Sequence, residues 1–131
     1  MKKWFLLCLL FVSCSAEGAT DPGDLQSEAI RITFLDVGQG DGILIRTPEG
    51  ATALVDSGPD DFPNGLDDFD VQQFELLVAS HPHADHIGGM VGVMNAYPVQ
   101  FYMDNTDTHT TVTYRELIET LQQRTEITSL V

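Results

Sequence analysis

The chain has 131 residues and a formal net charge of −14, from 20 acidic and 6 basic side chains. That length allows one domain, and a hydrophobic content of 43% indicates a packed core rather than a disordered chain. So acidic a composition repels phosphate backbones, and the sequence has no basic patch of the kind that binds nucleic acid. Both cysteines, Cys8 and Cys14, lie near the N-terminus, so the sequence has no disulfide framework and offers no cysteine to a metal site further along.

Residues 1–16 are typical of an export signal. Two lysines precede an apolar run over residues 4–12, which is too short to span a bilayer. Residues 11–14, which end on Cys14, resemble a bacterial lipobox, in which this cysteine carries the lipid and becomes the mature N-terminus. Ordinary signal cleavage after Ser15 or Ala16 is the alternative. We predict an exported protein of the bacterial periplasm or cell surface, anchored to the membrane through Cys14.

Residues 17–29 are rich in small and polar residues and predict a flexible linker, so the folded domain is expected over residues 30–131. In that domain Ile30, Ile32 and Phe34 alternate with polar residues, which is the pattern of a half-buried strand. A glycine-rich turn over residues 38–42 and a second turn over residues 48–50 separate this strand from two more. Three short strands at this spacing predict an antiparallel meander.

A continuous apolar run from Leu76 to Ala79 predicts a strand buried on both faces, which would hold the residues after it rigidly. Beyond it the pattern predicts a helix over residues 86–95 and a strand over residues 99–103. Apolar residues at i, i+3, i+4 and i+7 from Tyr114 predict an amphipathic helix over residues 111–124. Residues 126–131 begin another strand-like run.

Three histidines lie within six consecutive positions that directly follow the apolar run: His81, His83 and His86, with Asp85 among them. An extended backbone points residues i and i+2 to the same side, and Pro82 favours extended geometry at His81, so His81 and His83 aim at one point. Asp85 and His86 project differently and suit a second centre. Imidazole and carboxylate are ligands that Zn²⁺ prefers. The alternative, in which Asp85 caps a helix beginning at His86, leaves the three histidines unexplained.

The pattern His81-x-His83-x-Asp85-His86 resembles the HxHxDH signature of the metallo-β-lactamase superfamily. Residues 35–41 and 54–58 resemble the branch that contains the hydrolase domain of ComEC-type competence proteins, so the resemblance covers about residues 30–131. It implies an α+β fold, the αββα sandwich. A complete member adds another histidine, a bridging aspartate and a final histidine, and no matching segment follows His86. We therefore expect the first half only of that sandwich, a truncated N-terminal part.

The resemblance also implies roles for individual residues. His81 and His83 would bind the first metal ion, and Asp85 and His86 the second, with two Zn²⁺ ions expected and Mn²⁺ or Fe as alternatives. Asp85 would be catalytic as well, because it orients the water that a metal ion activates. Asp56 would hold loop backbone or a ligating histidine from behind, unless it serves only as the turn-forming residue of Asp-Ser-Gly.

Four further residues stay open. Asp36, Gln39 and Asp41 match the ComEC-like pattern, but each also suits a strand end or a turn. His109 either lines a substrate cleft, as the resemblance implies, or is a solvated loop histidine.

The predicted function is a metal-dependent hydrolase that uses a metal-activated water on a small molecule or a phosphodiester. We expect these residues alone not to be a competent enzyme. The alternative is a non-catalytic exported lipoprotein that keeps the fold as a binding module. A β-lactamase that hydrolyses antibiotics fits less well, because residues 36–41 point to another branch.

Overall fold

The computed structural model describes residues 29–59, 66 and 68–130. The predicted export signal and all but the last residue of the predicted linker lie outside the described residues. Within them the chain forms six strands and three helices: β1 Arg31–Phe34, β2 Ile43–Arg46, β3 Thr52–Val55, β4 Phe74–Ala79, α1 Ala84–Ile87, α2 Met90–Ala96, β5 Val99–Asp104, α3 Val112–Gln123 and β6 Thr128–Leu130. None of these helices has the length and apolar character needed to cross a membrane.

The six strands form one sheet in which every strand lies beside its neighbour in sequence. β1, β2 and β3 pair antiparallel, so the predicted meander is confirmed. From β3 onward the neighbours are parallel. Parallel neighbours need a crossover rather than a tight turn, and the helices supply it: α1 and α2 connect β4 to β5, and α3 connects β5 to β6. Because β3 and β4 are parallel, both end at the same edge of the sheet.

One face of the sheet carries the core. Successive strands place buried side chains in register across it: Leu44, Leu54, Leu77 and Tyr102. The helices cover this row with buried side chains of their own: Ile87, Met90, Val93, Met94 and Leu117. Full burial of one such aliphatic side chain stabilises the fold by about 1.5–3 kcal/mol. The sheet below the helices is therefore a rigid platform for the loops at its edge.

The opposite face is equally apolar, but its side chains are half-buried or, at Met103, exposed. One row across it consists of Ile45, Ala53, Leu76 and Phe101, and the next of Ile43, Val55, Val78 and Met103. The prediction that β4 is buried on both faces is thus wrong for the described residues: Leu77 and Ala79 are buried, whereas Leu76 and Val78 are not. A continuous apolar run shows that both faces are apolar, but the helices of the described residues cover only one.

The predicted helix over residues 86–95 is two helices, α1 and α2, with Gly88 and Gly89 between them. A continuous helix needs the His86 carbonyl to accept from residue 90, but it accepts the Ser57 N–H instead, at 2.7 Å. α1 begins at Ala84 with His83 in the N-cap position. The alternative that Asp85 caps a helix beginning at His86 is therefore wrong.

The amphipathic helix predicted over residues 111–124 is confirmed as α3. Thr111 is its N-cap, and the Thr111 hydroxyl accepts a hydrogen bond from the Tyr114 N–H. Arg124 lies at its C-terminal end, so the predicted bounds include both capping residues.

A candidate metal centre

The candidate site lies at the edge where β3 and β4 end together. Asp56 directly follows β3, and Ser80 and His81 directly follow β4. The Asp56 N–H donates to the Val78 carbonyl at 2.8 Å, which prolongs the β3–β4 pairing by one residue. Asp56 then turns the chain with a φ of 56°, a left-handed conformation that a residue with a side chain rarely adopts. The turn directs the carboxylate across the strand ends.

The Asp56 carboxylate connects the loop after β4 to helix α1. It is 2% exposed. Its Oδ1 accepts the Ser80 N–H at 2.8 Å, and its Oδ2 accepts the Ser80 hydroxyl at 2.6 Å and the His86 Nδ1–H at 2.9 Å. Three donors satisfy a carboxylate that would otherwise be costly to bury. The structure thus gives Asp56 contacts with both loop backbone and a histidine of the predicted set.

The rings of the three clustered histidines lie side by side, with His81 in the middle. The ring centres of His81 and His86 are 3.9 Å apart, and those of His81 and His83 are 4.6 Å apart. His86 reaches this position from α1, although its neighbours in the cluster precede that helix. The structure therefore brings all three predicted histidines to one place.

The hydrogen bonds determine which nitrogen carries the proton in two of these rings. The Ser80 hydroxyl has one hydrogen, and it donates that hydrogen to Asp56. The contact of 3.0 Å between the Ser80 hydroxyl and His81 Nδ1 is then a bond that His81 donates. His86 likewise donates from Nδ1 to Asp56. Both rings keep the lone pair on Nε2, which is one of the two forms in which a neutral imidazole binds a metal ion.

Asp85 is held by the glycine-rich turn over residues 38–42. The Gln39 amide donates to Asp85 Oδ2 at 3.3 Å, and this bond lowers the pKa of the Asp85 carboxyl below its ordinary value. A Cβ on Gly40 would lie 1.7 Å from the Asp85 carbonyl oxygen, and the φ there is +90°. Only glycine allows the turn to approach α1 so closely. Asp85 Oδ2 is 4.0 Å from His86 Nε2.

Asp41, from the same turn, makes a second grouping with His86. Its carboxylate is 3.7 Å from His86 Nδ1. Asp41, Asp56 and His86 each offer a ligand atom, and these atoms lie within 4.8 Å of one another, a set of three that could hold a metal ion. Nδ1 of His86 either donates to Asp56 or binds a metal ion, so the two uses exclude each other.

The predicted ligands lie close together in pairs but do not form a compact group of three ligand atoms. Among the described residues, Asp41, Asp56 and His86 are the one group of three or more with ligand atoms within 4.8 Å. The predicted set meets pairwise instead: His81 with His83, His81 with His86, and Asp85 with His86. The assignment of His81 and His83 to one ion and of Asp85 and His86 to another stays a prediction.

Two of the open residues have clear positions. The Asp36 carboxylate accepts the Gly38 N–H at 3.2 Å, which is a turn contact. His109 lies against the cluster, with its ring centre 5.3 Å from that of His83. Sequence reasoning left His109 and Gln39 undecided, because the residues they contact are far away along the chain. The likeness of residues 35–41 to a known pattern was the one signal that pointed to Gln39.

The residues present fit a metal ion in their chemistry. Two imidazoles have Nε2 free of a proton, a third ring adjoins them, and an ionised carboxylate lies beside them. Nitrogen and carboxylate oxygen are the donors that Zn²⁺ takes.

The family model of the metallo-β-lactamase superfamily matches residues 35–120, about two thirds of the chain. The chain therefore belongs to the metallo-β-lactamase superfamily. The match includes the whole histidine cluster, Asp56 and the glycine-rich turn. The predicted superfamily and fold class are thereby confirmed, with the sheet and helices forming part of a metallo-β-lactamase fold.

One similar solved structure is a metallo-β-lactamase from Cronobacter sakazakii that carries mutations in its HARLDQ motif. It is 18% identical, with a TM-score of 0.47, over 55% of this chain and 30% of that one. The chain thus spans less than a third of the length of the solved chain it matches. No curated protein matches this chain at a significant level.

Proposed function

We propose that the protein is a metal-dependent hydrolase, with two Zn²⁺ ions held by the histidine cluster. His81 and His83 bind the first ion, and Asp85 and His86 the second. One observation carries the proposal: the Ser80 hydroxyl and the Asp56 carboxylate together set His81 and His86 in the form that keeps Nε2 free for a metal ion. A histidine that binds a metal ion commonly donates its other ring N–H to a carboxylate, which fixes the orientation of the ring.

In this proposal the chain's own residues bind, orient and restrain. Bound Zn²⁺ supplies Lewis acidity and lowers the pKa of water. Asp85 accepts a hydrogen bond from the attacking water and so directs it, while the Gln39 amide restrains that carboxylate at 3.3 Å. Asp56 prevents His86 from rotating. The Asp41, Asp56 and His86 group then acts as support rather than as a site, because Asp56 already accepts three hydrogen bonds.

A catalytic zinc ion has three protein ligands and a water, whereas two per ion are proposed here. We therefore place the remaining ligands in the second half of a superfamily domain, of which residues 30–131 are the N-terminal part. The half-buried apolar face of the sheet supports this proposal, because a second layer of the domain would cover it. These residues alone are then not a competent enzyme.

For the substrate we propose a short phosphodiester. The support is the likeness of residues 35–41 and 54–58 to the ComEC-type branch. A net charge of −14 disfavours a long polyanion.

We further propose export through residues 1–16, a flexible linker over residues 17–29 and anchoring through Cys14. The variant Cys14→Ser should then release the protein from the membrane fraction, whereas a mature N-terminus at Ala16 or Glu17 would contradict anchoring.

The second candidate is a non-catalytic binding module that keeps the fold. The observation that favours it is the pairwise spacing of the predicted ligands, which fall short of a group of three. Metal content distinguishes the two functions. The hydrolase needs bound zinc, whereas a binding module without metal needs none of the three histidines.

The test is the zinc content of the full-length protein, measured by mass spectrometry after dialysis. We expect about two Zn²⁺ per chain, and the double variant His81→Ala, His83→Ala should lose tight binding at the first centre. Glu116→Gln, an exposed position on α3, is the control for a change away from the cluster. Equal metal content in the double variant and the wild type would refute the proposal.

A further inference from the structure

His109 stands apart from the loop that carries it. Residues 105–108 and 110 are exposed, whereas His109 is half-buried, with its ring centre 5.3 Å from that of His83 and the planes at 71°. The loop lies between β5 and α3. His109 therefore extends the row of three imidazoles to a fourth ring, and nothing in the proposed metal set uses it.

Thr111 holds His109 from one side. The Thr111 N–H donates to His109 Nδ1 at 3.4 Å, and the Thr111 hydroxyl lies 3.1 Å from the same nitrogen. Thr111 is also the N-cap of α3, where its hydroxyl accepts the Tyr114 N–H at 3.3 Å. The residue that begins a three-turn helix thus also restrains the ring.

The direction of these bonds decides the chemistry of His109. A backbone N–H can only donate, so Nδ1 must accept, and a neutral His109 carries its hydrogen on Nε2. This is the opposite of His81 and His86, which donate from Nδ1 and keep Nε2 free. Among the described residues, Nε2 of His109 has no hydrogen-bond partner. A ring in this form offers a donor, whereas a metal ion needs a lone pair.

We infer that His109 is a substrate-binding residue that donates its Nε2–H to a phosphate oxygen of the substrate, beside His83, and that it is not a metal ligand. The inference rests on the proposed function, since it names a contact in that site. Two loop carboxylates, Asp104 and Asp107, keep their negative charge while they accept hydrogen bonds within the loop, so the proposed Zn²⁺ ions must offset their repulsion of phosphate. Asp104 accepts the Thr106 N–H at 2.8 Å, and Asp107 accepts the Asn105 amide at 2.9 Å.

The experiment uses the zinc-loaded full-length protein, with inorganic phosphate as the probe and isothermal titration calorimetry as the measurement. The variant His109→Ala should keep the zinc content of the wild type and bind phosphate about tenfold more weakly, which is the size of one hydrogen bond to a charged group. The variant His109→Gln keeps an N–H donor and should recover most of the affinity. Nitrogen-15 NMR should show the hydrogen on Nε2 of His109 and on Nδ1 of His81.

Each failure has a distinct form. Loss of zinc in His109→Ala would make the residue a ligand and overturn the inference. Unchanged phosphate affinity with zinc bound would leave a solvated loop histidine and overturn it as well. If the wild type binds no zinc, the proposed function fails first and the inference falls with it. A hydrogen on Nδ1 of His109 would contradict the geometry from which the inference starts.

Discussion

The β3–β4 pair carries at each end a carboxylate that accepts a backbone N–H across the pair. At one end Asp56, after β3, accepts the N–H of Ser80, after β4. At the other end Glu75, in β4, accepts the N–H of Thr52, in β3. The same local contact therefore joins the two strands at the candidate site and at the edge furthest from it.

The two carboxylates differ in their burial and in the other hydrogen bonds that they accept. Asp56 is buried and also accepts from the Ser80 hydroxyl and His86. Glu75 is only partly buried, and its second oxygen accepts from the exposed side chain of Gln73 at 2.7 Å. Burial and a histidine within reach distinguish a candidate site from a strand contact. The backbone bond alone does not.

The largest effect should come from the core between the two ends. Leu77 is 0% exposed beneath the helices, whereas its neighbour Leu76 lies half-buried on the other face. Leu77→Ala should lower the free energy of unfolding by about 2–5 kcal/mol, because it leaves a cavity. Leu76→Ala makes the same chemical change and should cost less than half as much. Urea denaturation of both variants measures the difference, and equal losses would mean that both faces of the sheet are covered.

The next effect should distinguish the two ends directly. Asp56→Asn keeps the size of the side chain but weakens its hydrogen bond to His86. Zinc affinity should therefore fall about 10–100-fold, as it does when other residues that hydrogen-bond a metal ligand are changed. Glu75→Gln is the matched change at the other end and should leave zinc affinity unaltered. Competition with a zinc chelator measures both. Equal affinities in Asp56→Asn and the wild type would remove Asp56 from the site.

A smaller effect is expected in the glycine-rich turn. Gly38 and Gly40 both have positive φ, but a Cβ at Gly38 meets nothing within 4 Å, whereas one at Gly40 would meet the backbone of Asp85. Gly38→Ala should cost about 1 kcal/mol of backbone strain and leave zinc affinity unchanged. Gly40→Ala adds displacement of the turn and with it of Gln39, and should weaken zinc binding several-fold. If both variants bind zinc alike, the turn does not position the site.

Much of the fold could be predicted from local patterns. Periodicity predicted α3, and turn residues set the meander of the first three strands. Alternation predicted β1 as a strand, but its apolar residues Ile32 and Phe34 are exposed rather than half-buried. Two further predictions failed because they depended on contacts distant in sequence. The Ser57 N–H donates to the His86 carbonyl, so one predicted helix is divided into two. The run at Leu76 is apolar on both faces, but composition cannot show which face the helices cover.

The candidate site follows the same rule. His81, His83, Asp85 and His86 could be predicted because their spacing is short and their residue types are unusual together. Gln39 bonds to Asp85 from 46 positions away, and His109 meets His83 only through the placement of the loop after β5. Such contacts leave no local pattern. The directions of hydrogen bonds, which distinguish His109 from His81, need coordinates.

The smallest effect concerns pH at the far end of the β3–β4 pair. The bond from the Thr52 N–H lowers the pKa of Glu75 below its ordinary value. A carboxyl whose pKa is lower in the folded state than in the unfolded state, where it is about 4.3, stabilises the fold above that value. This contribution is lost as the pH falls through the lower pKa of the folded state. Because Glu75 is partly exposed, solvent screening should keep the contribution below about 0.5 kcal/mol.

Urea denaturation of the wild type and Glu75→Gln at pH 7 and pH 3 tests this. The wild type should be slightly more stable than Glu75→Gln at pH 7. This difference should shrink at pH 3, which is below the pKa of about 4.3 in the unfolded state, because proton uptake by the unfolded chain then removes the contribution of the carboxylate. Glu116→Gln, on the exposed surface of α3, should show no such convergence. A gap between wild type and Glu75→Gln that widens at low pH would mean that the Glu75 carboxylate opposes folding. The two ends of the strand pair would then share a backbone contact but not its stabilising effect.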